Sequence, residues 1–143
     1  MAKSKIQFFL LNVAVSIKDK KALTRFIELL FKKEETPISQ INYVFCTDEY
    51  LKDLNSKYLK HNFFTDIITF NLSESSDDSS GEIYISVERV KENAKKLFIP
   101  FKQELHRVIF HGALHLCGYK DETDKQMALM RKKEDFYLGK YFK

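Results

Sequence analysis

Apolar side chains recur along the chain with either a helical or an alternating period, and each block predicts an element. The apolar run from Ile6 to Val15, interrupted by Gln7 and Asn12, is predicted as a strand. Over Lys18 to Lys33, Ala22, Phe26, Ile27, Leu30 and Phe31 share one helical face, and Pro37 punctuates the exit. "ISQINYVFCT" alternates as a second strand, after which Thr47, Asp48 and Glu49 make an acidic start for the helix "DEYLKDLNSKYL". "FTDIITFNL" is rich in β-branched and aromatic residues and is predicted as a third strand. The polar stretch "SESSDDSSG" suits an exposed loop, and "EIYIS" follows as a fourth strand with Ile83 and Ile85 on one face.

The rest of the chain has helical spacing. Ser86 and Glu88 open a helix that runs to about Phe98 and stops before Pro100. A second spans about Lys102 to Leu116, with Leu105, Val108, Ile109 and Leu116 as its apolar positions and Gly118 as its stop. In the last, "DKQMALMRKKEDFYL", Met127, Met130 and Tyr137 read as core filler and "MRKKED" as a solvated face. The order βαβαββααα predicts an α+β fold in one domain over residues 1–143, a four-stranded mixed sheet with about five helices against it. Strand order does not follow from periodicity.

Composition narrows the class. A chain of 143 residues, 44% hydrophobic and 31% charged, suits a globular protein with a proper core and no disulfide staples. Twenty-four Lys and Arg against 20 Asp and Glu give +4, which permits a polyanionic partner without demanding one. Cys46 and Cys117 form no disulfide framework, so both read as small buried hydrophobes in a reducing, cytoplasmic setting. The opening "MAKSKIQFFLLNVAVSI" has lysines before an apolar run, as an export signal does. It lacks a small-residue cleavage site and leads straight into an amphipathic helix, so it reads as the first strand. No segment approaches the ~20 apolar residues of a membrane span, and no phosphate-binding glycine loop or G-x-S-x-G elbow occurs.

The chemistry concentrates in "HGALHLCGYKDETD". On a helix His111 and His115 lie one turn apart with Cβ atoms about 5–6 Å from each other, near enough for both imidazoles to reach one ion. A turn after Gly118 brings Asp121 round as a third donor, which would leave a fourth position to water. An ion so held acidifies water and polarises a scissile bond, and the donor set suits zinc while also admitting iron(II) or manganese. The spacing H-x3-H-x2-G-x2-D is that of metzincin peptidases with the third His replaced. Their catalytic Glu would fall at Gly112, so peptide hydrolysis by that route is disfavoured. A base would have to come from Asp66, Glu122, the substrate or solvent on the metal, so no catalytic residue is assigned. His61 and His106 read as surface histidines; Thr65 and Asp66 either start a strand or take part in catalysis. Asp121 has an alternative role as a cap of the last helix.

With Gly112, Leu114, Leu116, Gly118 and Tyr119 around the histidines, "HGALHLCGYKD" resembles the H-G-x-L-H-L-x-G-Y-D-H signature of the YbeY family. "LNSKYLKHNFFTDIITF" is similar to that family's L-N-x-x-Y-R segment and T-D-V-L-S-F strand, and "GEIYIS" to its G-D-I-x-I-S strand. The resemblance implies a zincin-like fold and a single-strand-specific, metal-dependent endoribonuclease that matures ribosomal RNA at the small-subunit 3′ end and takes part in ribosome quality control. It implies His111 and His115 as ligands of one Zn2+ or other divalent ion. Two positions depart from the pattern: Asp121 stands at the third His, and Leu59 at the Arg, where an apolar side chain cannot hold a phosphate. For RNA, Lys57, Lys60, His61 and Arg107 are the candidate phosphate contacts, and Phe63 or Phe64 the candidate stacking rings. Partners would be single-stranded RNA and ribosomal proteins, with no membrane. The alternative is a non-catalytic assembly factor whose metal fixes a helix end.

Overall fold

The computed structural model describes residues 5–59, 65–74 and 78–143. Among them run β1 (Ile6–Leu10), α1 (Lys20–Lys33), β2 (Ile38–Cys46), α2 (Asp48–Leu59), β3 (Ile67–Asn71), β4 (Ser79–Ser86), α3 (Val87–Leu97), α4 (Phe101–Leu116) and α5 (Asp124–Tyr141). This is the α+β succession that the hydrophobic periods predict. The sheet is mixed, in the order β1-β2-β4-β3, with β1, β2 and β4 parallel and β3 antiparallel at the edge.

Alternation along the strands decides what each face buries. Ile41, Tyr43 and Phe45 of β2, with Ile83 and Ile85 of β4, meet the main core built from α1, α3, α4 and α5. Cys46 and Ile68 point the other way, under Leu51 of α2. The first strand is shorter than its apolar run. The Leu11 N–H still bonds to the Phe45 carbonyl at 2.8 Å, but Asn12 then takes φ 56°, a left-handed conformation that Asn tolerates better than most residues. The chain leaves the sheet there, and Val13 and Val15 pack beside the core instead. Helix α1 starts at a cap from Asp19, whose carboxylate accepts the Ala22 N–H at 3.0 Å. Its buried face is Leu23, Ile27, Leu30 and Phe31, with Ala22 only half-buried.

Helix α4 lies directly on the sheet, and two features fix it there. The buried Tyr43 hydroxyl donates to the Ile109 carbonyl at 2.8 Å. At Gly112 the helix comes so close that an added Cβ would stand 2.8 Å from Ile83 Cγ2. At its far end Gly118 takes φ 106°, which turns the chain away from the helix.

Burial corrects several sequence expectations. Met130 and Tyr137 are in the core, whereas Met127 is 46% exposed. The "MRKKED" run is not a uniformly solvated face: α5 returns along α4, so Met130 and Glu134 are buried while Arg131 stays outside. His106 is not a surface histidine. Its ring is buried, stacked on Tyr141 and edge-on to Phe142, and its Nδ1–H donates to the Lys102 carbonyl at 2.7 Å. Cys46 is fully buried as expected, but Cys117 is only half-buried, and both are free thiols. Among the described residues no helix is long and apolar enough to cross a membrane.

Candidate active site

A polar stripe runs down helix α4, most of whose other positions are apolar. Glu104, Arg107, His111 and His115 recur at spacings of three and four, so they share one face. That face forms the floor of a cleft of about 730 Å³, walled by β3, the end of α2 and the first half of α5. Asp66, His111, His115, Asp121, Glu122 and Glu134 all line it.

The best-determined group is His111. Its Nδ1–H donates to the Glu134 carboxylate at 2.6 Å, which fixes the ring and leaves Nε2 as the free nitrogen. Nε2 stands 3.3 Å from Asp121 Oδ2. Burial disfavours the imidazolium, yet the hydrogen bond and charge of Glu134, with Asp121 and Asp66, hold the His111 pKa above its ordinary value. Glu134 is itself tied to Arg107 at 3.1 Å, and Arg107 also meets Asp135 at 2.7 Å and Glu104 at 3.9 Å. Burial pushes the carboxyls of Asp66 and Glu104 above their usual range, against the opposing pull of His111 and Arg107 respectively.

Two donors separated as His111 Nε2 and Asp121 Oδ2 are fit a tetrahedral transition-metal ion: ligands at about 2.0–2.2 Å from one centre lie about 3.3–3.6 Å apart. A His whose second nitrogen is fixed by a carboxylate is also what such sites use. His115 lines the same cleft one turn along. Among the described residues, however, no three His, Cys, Asp or Glu side chains are drawn together closely enough to enclose an ion.

The other sequence candidates are more scattered. Arg107 lines the cleft with its guanidinium engaged by carboxylates. Lys57 is exposed at the end of α2, its ammonium 5.4 Å from the Tyr58 ring centre, and does not line the cleft. Leu59 does line it. Lys60, His61, Phe63 and Phe64 lie outside the described residues. Thr65 Oγ1 donates to the Ile67 carbonyl at 3.4 Å and the Asp66 carbonyl accepts from Ser86 N–H at 2.9 Å, so both do help to start the strand. Asp121 does not cap α5; Thr123 does, in a capping box with Gln126. Sequence reasoning missed Glu104 and Glu134. Glu104 was within reach, because it stands in the same helical stripe as the histidines. Glu134 was not, since it meets His111 only through the packing of α5 on α4.

One helix on a mixed sheet thus lays two imidazoles into an open cleft, where carboxylates from the start of β3, the turn after α4 and α5 meet them, an arrangement suited to a hydrolase. A family model described as Endoribonuclease YbeY matches residues 11–142, and the chain belongs to that family. It is 43% identical over 139 residues to the Endoribonuclease YbeY of Cytophaga hutchinsonii, across 97% of each chain. With that of Flavobacterium johnsoniae it shares 46% identity over 120 residues, 84% of this chain and 86% of the relative. The solution structure of TM1509 from Thermotoga maritima superposes with a TM-score of 0.62 at 31% identity, over 96% of this chain and 89% of that one.

Proposed function

We propose that this chain is a zinc-dependent endoribonuclease that cuts single-stranded RNA, with the small-subunit ribosomal RNA precursor as substrate, and that it works in the cytoplasm as one domain. His111, His115 and Asp121 hold the ion. The observation that carries this reading is the orientation of His111, whose Nδ1 is occupied by buried Glu134 while Nε2 converges on Asp121 at 3.3 Å in an open cleft. Family membership supplies the RNA-cleaving chemistry. Zinc, or another divalent transition ion, would polarise the scissile phosphodiester and acidify water there.

The residues of the chain do the rest. Glu134 keeps the Nδ1 proton of His111 in place, so the ring presents one nitrogen in one direction. Arg107 pairs with the other oxygen of Glu134 at 3.1 Å and so compensates that buried carboxylate. Asp66 and Glu104 are the lining carboxyls whose protonated forms burial favours, which suits them to hold or release a proton beside the substrate. Peptidase chemistry is disfavoured by geometry as well as by sequence: at Gly112 even a Cβ would stand 2.8 Å from Ile83 Cγ2 and 3.2 Å from Ile67 Cδ1, so the position has no room for a catalytic side chain. Free cysteines support a reducing compartment.

Single-turnover cleavage of an end-labelled single-stranded RNA tests the proposal. Wild type should cut it, and His115→Ala should be slower by roughly a hundredfold or more. Chelator should abolish wild-type cleavage and added zinc restore it. Equal rates for the two proteins under all conditions would overturn the reading.

A further inference from the structure

Helix α3 ends in a paired backbone turn: the Ile99 N–H bonds to the Ala94 carbonyl at 3.1 Å and the Phe98 N–H to the Lys95 carbonyl at 3.2 Å. That turn places one residue in the left-handed region, and glycine usually fills it. Here Phe98 fills it, at φ 56° and ψ 42°. A β-carbon in this conformation crowds the backbone, and the ring gains no packing in return, because Phe98 is 96% exposed. Two unfavourable features at one position, neither compensated within the fold, point to a role outside it.

The surroundings define what that role is. Lys95 and Lys96 in the last turn of α3 and Lys102 in the first turn of α4 are all exposed, no acidic residue occurs between Asn93 and Gln103, and none of the three lysines forms an ion pair among the described residues, Lys102 holding its ammonium 5.5 Å from the Phe142 ring centre. A groove of about 460 Å³ lined by Pro100, Lys102, Gln103, Leu138, Phe142 and Asp135, the last neutralised by Arg107 at 2.7 Å, reaches Arg107, which also lines the cleft containing His111. Phe101 and His111 are about 15 Å apart by the helical rise of α4, and the Phe98 turn precedes Phe101, so the interval from the tip to His111 is on the order of 20 Å. A bare aromatic ring in a turn with two unpaired lysines, two residues before Pro100 on the rim of that groove, matches a single-stranded polyanion with flat bases.

We infer that the Phe98 tip is a second RNA contact: a base flanking the segment in the cleft stacks on Phe98, while Lys95, Lys96 and Lys102 meet its phosphates. The inference rests on the RNA-cleaving reading above. It makes recognition depend on strand length, since a segment confined to the cleft cannot reach the tip. At about 3.4 Å per stacked nucleotide, roughly six nucleotides bridge the interval.

The test compares single-turnover cleavage of single-stranded RNAs of about 4 and about 12 nucleotides by wild type and Phe98→Gly, reading the half-saturating protein concentration and the melting temperature. Phe98→Gly should raise that concentration roughly tenfold for the long RNA alone. It should also raise Tm by about 2–5 °C, because glycine suits the left-handed turn. Loss of binding beside gained stability is an outcome that a structural role for the ring cannot produce. Lys95→Gln/Lys96→Gln should reduce the salt slope of long-RNA binding by about 1.4. If wild type cuts both RNAs and Phe98→Gly handles the long one unchanged, the tip serves something else, such as a protein partner, and the inference is wrong while the endoribonuclease stands. An unchanged salt slope in the lysine variant would overturn it equally. A wild type that cuts neither RNA removes the parent reading, and this one with it.

Discussion

Glu134 is the residue on which the cleft's order turns. A carboxylate with this little exposure needs compensation, and it has two close sources, the Nδ1–H of His111 and the guanidinium of Arg107, with Arg131 farther off at 3.8 Å. Removing it frees the imidazole to rotate and lets either nitrogen carry the proton. Glu134→Ala should therefore weaken zinc binding by about 10–100-fold in a competitive chelator titration. Glu134→Gln, which keeps an acceptor oxygen, should lose less, and equal losses would show that hydrogen-bond orientation is not the cause. Gly112 makes a second test of sign. Inside a helix Gly→Ala is ordinarily stabilising by up to about 1 kcal/mol, but here the new methyl would stand 2.8 Å from Ile83 Cγ2. Gly112→Ala should instead destabilise by about 1–3 kcal/mol in urea unfolding, and a stabilised variant would mean that α4 can ride away from the sheet.

At the level of elements, the kinds and order of helices and strands were legible because each has a hydrophobic period of its own. Their ends were legible where a local signal marks them: the Ser86 cap of α3 and the Gly118 stop of α4 were read correctly. The left-handed turn at Asn12, which ends β1 early, has no hydrophobic signature. The sheet order was not legible, because parallel pairing of β2 with β4 skips β3 and depends on how the intervening chain crosses. The cleft divides the same way. His111, His115 and Asp121 stand within one short motif, while Glu134 reaches His111 across 23 positions and was hidden in a charged run. The turn bearing Asp121 leads into α5, whose start is held by the Thr123 and Gln126 capping box. Thr123→Ala should cost about 1 kcal/mol, read as a lower Tm by differential scanning calorimetry. An unchanged Tm would mean that packing of Met130 and Tyr137 alone fixes the helix.

The whole molecule gathers these parts into one pH response. Burial pushes the Cys46 thiol from 9.0 up to about 12, and burial with the adjacent Glu82 pushes the Tyr84 hydroxyl from 10.0 up to about 12. Both groups are neutral in the fold, so their contribution is complete below their unfolded values. It is lost as pH rises from about 9 toward about 12. Glu34 has the opposite sign. Burial raises its pKa, but hydrogen bonds from Tyr137, Tyr119 and Lys133 outweigh that and leave it below 4.5; its contribution is present above 4.5 and is lost as pH falls through the lower value. The urea midpoint should fall between about pH 7 and about pH 10, and Cys46→Ala should flatten that fall. A midpoint unchanged over this range would show that the buried thiol does not resist ionisation.

The most direct measurement of the central claim is X-ray absorption spectroscopy of the zinc-loaded wild-type protein. Two imidazole nitrogens at about 2.0–2.1 Å with oxygen completing the shell are the predicted signature. A sulfur neighbour near about 2.3 Å, or fewer than two imidazoles, would contradict it.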